Sequence, residues 1–224
     1  MTILVCEPRT GSALLFGNLE TKYKQQGVDC YGELFLDRFN LVDDIMIEVS
    51  SKGKIDSIDN IIKKIQWITL RKSSGIPSFF KVMTLQMGKE LEEITSTFLK
   101  NENIFTINRN PFDTFLSFSF QRQTRWKIAH NLKHINIEKT RYTIPNHFVS
   151  YWIDTHIQFK KFISKQTNVT EIKYEDVCKL KHQCMLPMNI DYSQCINNYD
   201  AIKFLFDYTM ELKQCGAQTI KKEI

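Results

Sequence analysis

Short apolar runs alternate with longer segments of helical period along the chain, the pattern of a parallel sheet covered by helices. Five runs rich in Ile, Val or Phe read as strands: Ile3–Cys6, Val28–Tyr31, Phe79–Met83, Ile104–Asn108 and Val169–Tyr174. Between them, Gly11–Gln26 carries Leu14, Leu15 and Leu19 on one stripe and stops at Gly27, a natural residue for a helix end. Ile58, Ile61, Ile62, Ile65 and Ile68 form a second stripe, with Asp56 or Ser57 available as its cap. Leu91, Ile94 and Phe98 mark a third helix, and Asn110-Pro111 opens a fourth with Asn as cap and Pro in the first helical position. His147–Lys165 reads as a fifth and Ala201–Lys213 as a sixth. The expectation is one α/β domain over 1–224, three layers deep, with a central parallel sheet of about five strands flanked by helices. Thr124–Pro145 breaks the pattern, being polar, basic and poorly periodic. It reads as a substrate loop or lid, or as a plain surface excursion.

Composition narrows the classes. At 224 residues with 42% hydrophobic and 25% charged, the chain has the make-up of a globular protein with a sizeable core, not of a disordered one. Sixteen Phe is a heavy load for this length and suggests that some line a pocket as well as the core. The net charge of +5 suits an anionic ligand. The densest basic stretch, Arg122, Arg125 and Lys127, is interleaved with polar and aromatic residues and does not resemble a nucleic-acid arm. Thr2–Cys6 is apolar but has neither a basic segment nor a cleavage site before it, and no apolar stretch reaches the length of a membrane span. A cytoplasmic location is expected, with neither nucleic acid nor membrane as partner. Six Cys contain no Cys-x-x-Cys pair. Cys6 and Cys30 fall in predicted buried strands, where thiols act as small hydrophobes. Cys178, Cys184 and Cys195 with His182 match no common zinc spacing, so no metal site is expected.

Two segments carry candidate chemistry. The first strand runs directly into Pro8-Arg9-Thr10-Gly11-Ser12-Ala13-Leu14-Leu15. A strand, a Gly-containing turn and a helix start expose backbone N–H groups and the positive end of a helix dipole, which together bind phosphate oxygens. Arg9 adds a charged donor fork, and Thr10 and Ser12 add hydroxyls. A nucleoside-triphosphate loop needs Gly-x-x-x-x-Gly-Lys-Ser/Thr, and both its first Gly and its Lys are missing, so the fold reads as P-loop-like without the Mg-ATP grip. A mere tight turn is the alternative. In the second segment Arg109 follows a strand and Ser117 lies two turns into the next helix. Both can address one phosphate if that helix packs beside the strand. The bland alternative makes Arg109 a surface ion pair.

Pro8–Leu15 resembles the 5′-phosphosulfate loop of the sulfotransferases that use 3′-phosphoadenosine 5′-phosphosulfate (PAPS), matching at Pro8, Arg9, Gly11, Ser12 and Leu14 with Thr10 a close substitute. Ala13 departs from it, because the family carries a hydroxyl there. Arg109-Asn-Pro-Phe-Asp-x-x-x-Ser117 resembles the family's 3′-phosphate motif, and Tyr174-Glu-Asp-Val its late Tyr-Glu-Asp-Leu segment, where the Tyr lies near adenine. The resemblance implies PAPS as donor, no required metal, and donor contacts from Arg9, Thr10, Gly11, Ser12, Ala13, Leu14, Arg109, Ser117 and Tyr174. The late Arg-Lys-Gly segment that closes over the donor in animal cytosolic members is absent, leaving Arg122 and Arg125 as substitutes. Those members also use a His as base, which Phe80-Lys81-Val82-Met83-Thr84 lacks. Gly32-Glu33-Leu34-Phe35 instead resembles a bacterial branch that sulfates sugars such as trehalose, which implies Glu33 as base and a carbohydrate or small metabolite as acceptor. A structural or substrate-binding Glu33 is the alternative. Lys81 is a candidate charge stabiliser, and His130 and His134 read as solvent-facing. The rival readings are a P-loop-type kinase and a nucleotide-binding protein with little or no turnover.

Overall fold

The computed structural model describes residues 1–36, 39–42, 45–48, 54, 56–83, 98–123, 141–180 and 190–222. Its strands are β1 (Thr2–Cys6), β2 (Asp29–Glu33), β3 (Phe39–Val42), β4 (Ile45–Glu48), β5 (Ser78–Met83), β6 (Asn103–Asn108) and β7 (Val169–Lys173). Its helices are α1 (Ser12–Lys24), α2 (Ile58–Ser73), α3 (Pro111–Gln123), α4 (Asn146–Ser164), α5 (Tyr174–Cys178) and α6 (Tyr199–Lys222). Five strands form a parallel sheet in the order β2-β5-β1-β6-β7, flanked by helices, as the sequence pattern predicts. The short antiparallel pair β3–β4 was not anticipated. The third expected helix has only Phe98 among the described residues, and residues 124–140 of the expected lid lie outside them. At the end of that stretch, Tyr142 donates its backbone N–H to Cys195 O at 3.1 Å and is tied in a bridge to Ile196.

Contacts divide the chain into two compact units, Met1–Arg109 with Phe159–Gln183, and Asn110–Gln158 with Cys184–Ile224. The first contains the sheet. Ile3, Val5, Phe80 and Val82 form its centre with Ile61 and Ile68 from α2, all fully buried. That burial explains why β1 and β5 are apolar without alternation, as strands covered on both faces must be. β2 lies at the sheet edge and is only half-buried throughout, so Cys30 is half-exposed where a buried thiol was expected. In the second unit, α3 is buried nearly all round, and Phe115 lies 6.0 Å from Phe148, 6.3 Å from Trp152 and 5.4 Å from Phe206. Much of the heavy Phe content is accounted for by this ring-on-ring packing. Arg122 joins it, its guanidinium 5.7 Å from the Phe118 ring and 5.8 Å from Phe148.

The helix ends follow local chemistry. Ser57, not Asp56, caps α2, its hydroxyl accepting from Asn60 N at 3.3 Å. Asn110 Oδ1 accepts from the backbone N–H of Phe112 at 2.9 Å and Asp113 at 3.2 Å, and Pro111 begins the helix. Gly27 closes α1 in the left-handed region (φ 74°), with its N–H on Lys24 O and that of Val28 on Tyr23 O. Asp56 is used elsewhere. It pairs with Lys64, which is 1% exposed and also donates to the carbonyls of Leu34 and Leu36 at 3.1 Å each. Among the described residues no helix is long and apolar enough to cross a membrane.

Candidate functional site

The sheet order itself selects a place for a ligand. The chain leaves β1 to form β2 on one side of the sheet and leaves β6 to form β7 on the other. The order therefore reverses between β1 and β6, and the carboxyl ends of such a pair are where open α/β sheets bind ligands. The residues that emerge there are Glu7–Gly11 after β1 and Arg109 after β6, the starts of the two segments singled out in the sequence.

The first loop is sharply bent. Arg9 adopts φ 65° and Gly11 φ 80°, and α1 begins at Ser12. A non-glycine residue in the left-handed region is uncommon and persists where its surroundings hold it. Two contacts do so. Thr10 Oγ1 donates to Glu7 O at 2.8 Å, and Arg109 Nη1 donates to Arg9 O at 2.6 Å. The first intrahelical bond of α1 runs from Leu15 N to Gly11 O at 3.1 Å, so the N–H groups of Ser12, Ala13 and Leu14 have no helical acceptor. No side chain caps this end and no acidic residue sits in its first turn. An oxyanion meets three amides and the positive helix pole there.

Of the two hydroxyls expected to address a phosphate, that of Thr10 is turned to a protein partner. The Thr10 proton goes to Glu7 O, and Ser12 is buried at 6% exposed, while the Cys6 thiol beside it donates weakly to Val82 O at 3.8 Å. Cys6 is fully buried, and its thiol is pushed up to about 11 chiefly by burial, which outweighs the opposing pull of Lys81. It is a small hydrophobe with a weak hydrogen bond, as expected for its strand.

Arg109 is held on two sides. Its guanidinium lies over the Tyr174 ring, 4.1 Å from the centroid, while Nη1 holds Arg9 O. Its Nε is buried and has no hydrogen-bond partner among the described residues. A buried orphan donor on a permanent cation is costly unless a ligand completes it. Tyr174 begins α5 directly after β7 and also bounds the loop. A Cβ on Gly11 would stand 3.1 Å from its Cε2. The aromatic ring expected near a base thus has one face covered by Arg109 and lies against the loop glycine.

Glu33 and Lys81, read separately in the sequence, form one ion pair at 2.7 Å. Glu33 is the last residue of β2 and does not follow it. Pairing with β5 shifts between Tyr31 and Glu33, so that Tyr31 faces Phe80 and Glu33 faces Lys81. The extra residue, Gly32, is a bulge that re-aims the Glu33 side chain. Lys81 is 7% exposed and needs such a partner. Ser117 lies two turns into α3, 4% exposed, in the second unit.

A groove of about 270 Å³ lined by Leu41, Val42, Asn60, Lys63 and Lys64 contains none of the expected site residues. Among the described residues no group of three or more His, Cys, Asp or Glu is placed to hold a metal ion. Of the zinc set weighed in the sequence, Cys184 and His182 fall outside the described residues, as do Arg125, His130 and His134. No protein-family model matches the chain, and a search of curated proteins likewise gives no match.

Proposed function

We propose that the chain is a sulfotransferase that moves a sulfuryl group from PAPS to a hydroxyl of a carbohydrate or small metabolite. The observation that carries this reading is the 2.6 Å hydrogen bond from Arg109 Nη1 to Arg9 O. It joins the two sequence segments that resemble the family's 5′- and 3′-phosphate motifs, so one doubly phosphorylated nucleotide can engage both. The start of α1, which no side chain caps, and the Nε of Arg109, without a partner among the described residues, suit two separate anionic groups.

The residues then divide the work. The amides of Ser12, Ala13 and Leu14 with Arg9 hold the 5′ end, where charge develops on the leaving phosphate oxygen. Arg109 holds the 3′-phosphate through Nε. Glu33 takes the acceptor proton as the acceptor oxygen bonds to sulfur, and the bond from sulfur to the 5′-phosphate oxygen breaks, yielding a sulfate ester and adenosine 3′,5′-bisphosphate. Lys81, 2.7 Å from Glu33, stabilises charge around that transfer.

A second reading, nucleotide binding with little turnover, draws on the same ion pair, because a carboxylate that neutralises a buried lysine has a role without catalysis. Calorimetry with adenosine 3′,5′-bisphosphate and a sulfation assay on sugar acceptors separate the two. Arg109→Ala is expected to weaken nucleotide binding by roughly 10–100-fold, the value of a lost charge-assisted contact. Glu33→Gln should leave affinity intact and abolish turnover. Undiminished affinity in the Arg109 variant refutes the nucleotide assignment, and ATP-dependent, magnesium-dependent phosphorylation would point to the kinase reading instead.

A further inference from the structure

We infer that Tyr174 is a positioning residue that presents Arg109 to an anion and couples it to the Gly11 turn, rather than a platform for the base. Three observations meet at this ring. The Arg109 guanidinium covers it at 4.1 Å from the centroid. The same guanidinium reaches Arg9 O with Nη1 and keeps a buried Nε that has no partner among the described residues. Gly11, at φ 80°, approaches the ring so closely that a Cβ would lie 3.1 Å from Cε2 and 3.3 Å from Cδ2.

The physical consequence is a guanidinium with little slack. The ring contact and the Nη1 bond restrain the guanidinium from two sides, so the direction of Nε–H is restricted before any ligand arrives. A preorganised donor loses little freedom on binding, and it is such donors that distinguish ligands differing by one charged group. A tyrosine face occupied by a cation is not free for a nucleobase. The ring instead ties the 3′-anion contact to the loop that binds the 5′ end. This rests on the donor reading only in naming the anion as the 3′-phosphate.

The test uses the full chain and three probes, adenosine 3′,5′-bisphosphate, adenosine 5′-phosphate and pyrophosphate, titrated calorimetrically into wild type, Arg109→Ala, Tyr174→Phe and Tyr174→Leu. Tyr174→Leu should weaken the bisphosphate about tenfold, the value of a desolvated cation–π contact, and Tyr174→Phe should restore it to within twofold. Adenosine 5′-phosphate, which lacks the group that Arg109 addresses, should change less than twofold in Tyr174→Leu. Equal losses for both nucleotides would make Tyr174 a base platform and overturn the inference. If Tyr174→Leu does not fold, Tyr174→Met supplies an adaptable side chain without a ring face. If wild type ignores the bisphosphate but binds pyrophosphate, and both Arg109→Ala and Tyr174→Leu weaken that binding, the positioning role stands and the nucleotide reading falls. Pyrophosphate bound equally by all variants, or no probe bound at all, removes the positioning role as well.

Discussion

Replacing Gly11 by Ala perturbs the loop in two separable ways. At φ 80° the new side chain enters the left-handed region, which costs about 1–2 kcal/mol. Its Cβ would also stand 3.1 Å from Tyr174 Cε2 and 3.3 Å from both Tyr174 Cδ2 and Val177 Cγ1. That is a few tenths of an ångström too close, and the ring is held by the Arg109 guanidinium 4.1 Å from its centroid. Crowding of this kind costs about 1–3 kcal/mol. Gly27 is the control. It has φ 74° but nothing within 4 Å of an added Cβ, so Gly27→Ala carries the backbone cost alone. Urea denaturation of both variants should therefore show Gly11→Ala less stable than Gly27→Ala by about 1–3 kcal/mol. In a Tyr174→Leu background that gap should shrink, because the ring is gone. Equal losses for the two glycine variants in the wild-type background would refute the idea that Tyr174 abuts the loop.

Three other outcomes follow from buried charges. Glu33→Ala leaves Lys81, 7% exposed, without its 2.7 Å partner and should lower stability by about 2–3 kcal/mol, below the full cost of breaking a buried pair because the Glu33 side chain keeps 22% exposure. Glu33→Gln retains an acceptor and should cost less; a Glu33→Ala variant that melts with the wild type would show that the pair is not structural. Asp56→Ala strips Lys64 of its counter-ion and leaves it, among the described residues, with two carbonyls, so a loss of about 3–5 kcal/mol is expected, and one below about 1 kcal/mol would contradict the burial. At alkaline pH the native Cys6 thiol stays protonated up to about 11, while in the unfolded chain it ionises from its ordinary value of 9.0. The native state then holds the extra proton, so stability should be fully present below pH 9 and decline as pH rises toward 11. Denaturation midpoints across that range, compared with Cys6→Ala, isolate this contribution; an equally steep decline in the variant would exclude Cys6 as its source.

The strands at the centre of the sheet were legible because burial on both faces forces continuous apolar runs such as Ile3–Cys6 and Phe79–Val82. Helix starts at Ser57 and Asn110 were legible because caps are local chemistry. β2 was read too early and as buried, since edge position and the Gly32 bulge depend on which strand lies beside it. β3 and β4 are four residues each, too short for a period-2 pattern to stand out from their polar surroundings. Lys64 left a usable signal. It falls on the stripe with Ile61, Ile65 and Ile68, so the helical spacing that marks the core face also marks this lysine as buried, and a buried lysine requires a carboxylate such as Asp56.

The candidate site divides along the same line. Residue types adjacent in sequence, the Pro8–Leu15 turn and the Arg109-Asn110-Pro111 junction, declare their local geometry, and the sheet order brings their starts together at the switch between β1 and β6. What side chains do across strands is set by register, which a single sequence does not encode. Glu33 and Lys81 become one unit because the register shift between Tyr31 and Glu33 sets the carboxylate opposite Lys81 on β5, and Thr10 turns inward because the Glu7 carbonyl lies within its reach. Tyr174 carries this furthest. Its place after β7 follows from the strand pattern, but its partner follows from β6 and β7 being neighbours, which delivers Arg109 onto its ring. An aromatic residue at a strand end is therefore ambiguous between a surface for the ligand and a support for the residue that holds the ligand. On the positioning reading the face covered by Arg109 marks Tyr174 as a support, so its loss should weaken the anion that Arg109 holds and spare the one held by the amides at the start of α1.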